Sequence, residues 1–68
     1  VSEVRWEKPD GSPVSCTEKL KVLRQNLEEL RQIAQDAFED ALLMECREEQ
    51  IREVFRQVIE SLENPYQR

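Results

Sequence analysis

Between Pro13 and Pro65 the chain runs for about 50 residues with neither Gly nor Pro, the two residues that most strongly interrupt helices. Gly11 is the only glycine, and Pro9, Pro13 and Pro65 are the only prolines. The breakers therefore lie outside residues 14–64, and the middle is free to be helical. The chain has 68 residues in all, room for one domain at most. A core of that size is marginal and needs a disulfide, a metal, oligomerisation or very regular helix packing to hold it.

The apolar spacing divides the middle into two helices. Ser15-Cys16-Thr17-Glu18 has capping-box spacing, with Ser15 able to accept from the Glu18 N–H and Glu18 able to reach back. A long helix is expected over about 16–45. Leu20, Leu23, Leu27, Leu30, Ala34, Ala37, Ala41 and Met44 follow a 3-4 alternation along it, which is a coiled-coil seam. Ile33, Phe38 and Leu42 widen the stripe in its second half. The pattern resets at Cys46-Arg47-Glu48-Glu49, where a turn is expected. A shorter helix then covers about 48–63, with Ile51, Val54, Phe55, Val58, Ile59 and Leu62 on one face. Asn64-Pro65 ends it. Phe38, Phe55 and Met44 are expected in the core. The predicted fold is all-α: an antiparallel helical hairpin over 15–64, an extended arm over 1–14 and a tail over 65–68. In the arm, Pro9-Asp10-Gly11 is a turn signal around which two short strands can pair. Trp6 is the large apolar group that would anchor it.

Unequal helix lengths imply association. At 1.5 Å per residue the two predicted helices measure about 43 Å and about 24 Å. Folded back, the shorter one reaches only to around Leu30, so Leu20, Leu23 and Leu27 are expected to face water, a patch soluble monomers avoid. Charge suggests an orientation. Lys19, Lys21, Arg24 and Arg31 outnumber Glu28 and Glu29 early in the helix, whereas Asp36, Glu39, Asp40, Glu45, Glu48 and Glu49 face only Arg47 later. An antiparallel pair of first helices would set each basic half against an acidic one. The expectation is a homodimer forming a four-helix bundle, with Leu20, Leu23, Leu27, Leu30, Ala34, Ala37 and Trp6 at the dimer or partner interface. The acidic belt, arm and tail are left to contact a larger protein partner.

Other functions find little support. A net charge of −5 argues against nucleic acid and anionic membrane surfaces as partners. No apolar run is long enough to span a bilayer. The first residues lack the basic start and apolar stretch of a signal peptide, so the cytoplasm is expected. The chain has no His, the commonest general base and transition-metal ligand. The acidic residues lie mostly off the seam. No phosphate loop, nucleophile elbow or zinc spacing occurs, so no enzyme, metal or cofactor is expected. Cys16 and Cys46 bracket the first helix, about 45 Å apart along its axis, too far for a bond within one chain. Cys16, in the first helical turn near Lys19, is the candidate reactive thiol, and a redox regulator is one alternative function. The other is an RNA-binding regulator. The expected dimer of antiparallel hairpins is similar in architecture to the plasmid RNA-binding bundle Rop, and that likeness of architecture implies the RNA-binding role.

Overall fold

The computed structural model describes residues 4–66. Its regular elements are α1 (Thr17–Leu43) and α2 (Glu48–Glu60). No strand occurs among the described residues, only an isolated antiparallel bridge between Glu7 and Pro13. The all-helical, two-helix organisation is therefore as expected. Residues 1–3 of the predicted arm and 67–68 of the predicted tail lie outside the described residues. The chain divides into two compact units, one ending at Ile33 and the other beginning at Ala34.

The first unit holds the arm and the start of α1. The arm doubles back on itself. Gly11 N–H donates to the Lys8 carbonyl at 2.8 Å and Lys8 N–H donates to the Ser12 carbonyl at 2.8 Å. The three-residue loop Pro9-Asp10-Gly11 ends on a left-handed glycine, φ 88°, the usual geometry of such hairpins. Val14 N–H donates to the Trp6 carbonyl at 3.0 Å. Asp10 locks the loop, its carboxylate accepting from the Ser12 hydroxyl at 2.6 Å and the Ser12 N–H at 2.9 Å. These bonds, the hydroxyl's first, hold the Asp10 carboxyl below its ordinary range. Pro13, which has no N–H to offer, sits at the single bridge position, and the pairing goes no further as a strand.

α1 begins one residue later than the capping box implies. The Leu20 N–H donates to the Cys16 carbonyl at 3.0 Å, which makes Cys16, not Ser15, the N-cap residue.

The second unit is the end of α1, the turn and α2. Within it α2 runs back along the last turns of α1. Phe38 meets Phe55 edge to face, with ring centroids 6.5 Å apart. Ala41 shares a shallow groove with Ile51, Val54 and Phe55. The Arg52 guanidinium lies over the Phe38 ring, 4.7 Å from its centroid, and also bonds Glu48 at 3.1 Å. The turn between the helices falls at 44–47, slightly earlier than expected. Glu45 adopts φ 66°. Its N–H donates to the Leu42 carbonyl at 3.0 Å, and the Cys46 N–H donates to the Ala41 carbonyl at 3.1 Å. That pair of bonds is a Schellman motif, with a glutamate in the position glycine usually holds.

α2 starts after Arg47, an extended residue with no side-chain cap. Glu48 and Glu49 occupy its first turn and suit the positive end of the helix dipole. It stops at Glu60 rather than Glu63. The cause is Ser61, whose hydroxyl donates to the Val58 carbonyl at 2.6 Å while its N–H turns towards both Gln57 and Val58. A hydroxyl competing for the last carbonyls closes a helix early. Among the described residues no helix is long and apolar enough to cross a membrane.

Candidate interaction surface

The surface is best built from what the chain buries. Among the described residues Ile51 is the one buried hydrophobic side chain, 5% exposed. Phe38, Ala41 and Phe55 around it are half-buried. α2 presents Ile51, Phe55, Val58 and Leu62 at 4-3-4 spacing, which places all of them on one side of a helix. Yet Val58 is 56% exposed and Leu62, just beyond the helix end, is 72% exposed. Half of that side is packed and half is bare.

α1 shows the same division. Leu20, Leu23, Leu27, Ala34, Phe38 and Ala41 are half-buried, whereas Leu30 and Ala37 are exposed. Two expectations are corrected here. Leu20, Leu23 and Leu27 do not stand fully in water in the single chain. Nor is Met44 core: it leaves the helix at the turn and is 76% exposed. Near the end of α1 the half-buried line passes through Phe38, as expected, because the Phe55 ring packs against it. Leu30, Ile33 and Ala37 are exposed, Ile33 to 68%.

Of the predicted interface residues, Leu20, Leu23, Leu27, Leu30 and Trp6 fall in the first unit and Ala34 and Ala37 in the second. Trp6 is half-buried. In the first unit a shallow groove is lined by Val14, Glu18, Lys19, Val22 and Leu23. Sequence reasoning missed the bare end of α2. The signal was available: Val58 and Leu62 continue the Ile51–Phe55 face, and the only question was how far that face stayed covered.

Cys16 and Cys46 are both free and exposed. The Cys16 thiol lies below its ordinary pKa. The main cause is the Lys19 backbone N–H; desolvation opposes it, and the Glu18 N–H and the Lys19 charge add smaller contributions in its favour. A sulfur at the N-cap faces the unpaired N–H groups of the first turn, and these favour the thiolate. The acidic side chains of α1 and the turn do not converge: among the described residues no group of three or more Cys, Asp or Glu is placed to hold a metal ion. Several acids are engaged locally: Glu48 pairs with Arg52, Glu53 with Arg56 and Glu49 with Arg47, and Glu39 accepts from the Gln35 amide at 2.8 Å.

No family model matches the chain, and neither a curated protein nor a solved structure does.

Proposed function

We propose that this chain is a small, non-enzymatic protein–protein interaction module, an accessory or adaptor protein that works as a homodimer of helical hairpins. The observation that carries this reading is the half-covered face of α2. Val58 and Leu62 continue the side on which Ile51 and Phe55 pack, and one copy leaves them bare. Burying such side chains fully is worth about 1.5–3 kcal/mol each. With so little buried inside one copy, that gain is comparable to the stability of a small domain. A second hairpin laid against the first would cover both α2 faces and complete a four-helix bundle. The outer surface would keep Asp36, Glu39 and Asp40 on α1, a run suited to a basic protein partner. A reducing, cytoplasmic setting suits two free, exposed cysteines.

Equilibrium sedimentation of the full chain tests the homodimer. The expected mass is twice 8.1 kDa, and Leu62→Glu is expected to shift the population towards monomer. A single-copy mass persisting to millimolar concentration overturns the reading. One observation favours a second reading, a thiol-based regulator acting through Cys16: an exposed thiol whose pKa is lowered by the helix cap. Alkylation rates of Cys16 and Cys46 measured against pH decide it, since a regulatory Cys16 must react at the lower pH.

A further inference from the structure

We infer that residues 44–47 are a hinge through which two copies exchange α2: each chain opens into one helix across the turn, and its α2 replaces that of the second copy on the end of α1. This rests on the homodimer reading above for the second copy, and adds which segment passes between the two. Closed hairpins laid together and hairpins that have traded α2 are different arrangements of one pair. The phase of the apolar seam points to the exchange. Near the end of α1 the 3-4 alternation passes through Ala37, Ala41 and Met44. Continued across the turn, it falls on Glu48 and then on Ile51, Phe55, Val58 and Leu62. The turn thus breaks the alternation at one residue and leaves its phase unchanged. A turn frees α2 to start in any phase, so a hairpin does not require that match. A continuous helix does, because its stripe must stay on one side through the junction.

Local structure at the hinge favours opening. Met44, Glu45 and Arg47 are good helix formers, and no Gly or Pro separates α1 from α2. In the closed turn Glu45 is left-handed at φ 66°, and Arg47 is extended with no side chain capping the start of α2. A continuous helix relieves the first and has no helix end to cap at the second. Short hinges under strain invite exchange between copies. What receives α2 is fixed by what it leaves. In one chain Phe55 meets Phe38 edge to face, Arg52 lies over the Phe38 ring, and Ile51 and Phe55 share a groove with Ala41. The same set of contacts is offered by the end of α1 in a second copy. An antiparallel alignment centred on residue 46 restores it twice, with Ala41 against Ile51 and Ala37 against Phe55 of the other chain. It also adds a layer that the closed chain lacks: Met44, 76% exposed at the turn, comes opposite Glu48. That glutamate is the polar break in the seam, and the cost of covering it keeps the closed form competitive.

The distance between two points of the same chain separates the two forms. Nitroxides are placed by Gln35→Cys and Gln57→Cys, both at exposed positions, in the full chain carrying Cys16→Ser and Cys46→Ser. Diluting the labelled chain in excess unlabelled chain leaves only within-chain pairs for pulsed dipolar spectroscopy to read. A closed hairpin gives the spacing of two packed helices, about 10 Å between axes, plus the label arms. A continuous helix rises about 33 Å between the two positions. The expected result is a long-distance population that grows with total concentration, together with a two-copy mass in sedimentation. Glu48→Leu completes the seam and should raise the ratio of long to short distances at least about tenfold. Glu45→Gly eases the left-handed turn and weakens a helix interior, and should lower that ratio at least about tenfold. Circular dichroism confirms that both variants stay helical. A two-copy mass with only the short distance, in the parent and in Glu48→Leu alike, overturns the exchange and leaves the homodimer reading standing. A single-copy mass persisting to millimolar concentration overturns both. A long-distance population that Glu45→Gly does not diminish overturns the hinge.

Discussion

Replacing Glu45 with glycine is expected to stabilise the helical pair by about 1 kcal/mol. Glu45 is held at φ 66° by two bonds, its own N–H to Leu42 and the Cys46 N–H to Ala41. In that left-handed region the Cβ of an L-residue crowds its following carbonyl, at about 1–2 kcal/mol. Glycine removes the crowding but has more freedom to lose on folding, about 0.5–1 kcal/mol. The substitution also removes a carboxylate beyond the last turn of α1, a turn with no basic residue, where negative charge opposes the dipole by about 0.3–1 kcal/mol at low salt. Exposure reduces this last contribution, and the sum remains close to 1 kcal/mol in favour of glycine. In a chain this small that raises the melting temperature by roughly 4–8 °C. Urea and thermal unfolding followed by circular dichroism, at one fixed protein concentration, provide the assay. Glu45→Ala is the control, because it loses the charge and keeps the Cβ. If Glu45→Gly is no more stable than Glu45→Ala, the left-handed backbone is not costing the fold anything and the argument fails.

Ile51→Ala removes the one buried hydrophobic side chain among the described residues and is expected to cost at least about 2 kcal/mol, enough to lower the helical signal of the full chain at room temperature. Gly11→Ala meets no atom within 4 Å, so its effect comes from φ 88° alone; about 1–2 kcal/mol of local strain should speed amide exchange at Val14, whose N–H closes the hairpin on Trp6. For Cys16 the sign follows from a lowered folded pKa: the thiolate is favoured by the folded cap, so its contribution is complete above the unfolded-chain pKa and is lost as pH falls through the folded value. The stability difference between the parent and Cys16→Ala should therefore grow as pH rises through that window, and a flat difference would show that the N–H groups of the first turn do not hold the sulfur.

The helices were legible because backbone punctuation is a local property. No breaker falls between Pro13 and Pro65, and α1 and α2 lie where the apolar periodicity put them. Their ends were less legible because capping is a competition among neighbours. Ser15 and Cys16 both precede the first turn, and the chain uses the cysteine. Ser61 takes the last carbonyls of α2 before the Pro65 stop is reached. A glycine would have announced the left-handed turn after α1; Glu45 gives no such signal because the turn is imposed by packing of the flanking helices, not by residue preference. The apolar face was located correctly, but its covered portion was not. Periodicity says which residues share a side and nothing about how wide a neighbour sits upon it. Phe38 packs on Phe55 as its place on the apolar stripe suggested, but Met44 came out exposed, and the leading leucines came out half-covered where exposure was expected.

A protein whose described residues bury a single isoleucine has almost no private reserve of stability. If a second copy closes over it, folding and pairing become one equilibrium, and the fraction in working form rises and falls with the amount of chain made. Synthesis level would then act as a threshold: scarce copies stay open to proteolysis, while abundant ones protect each other.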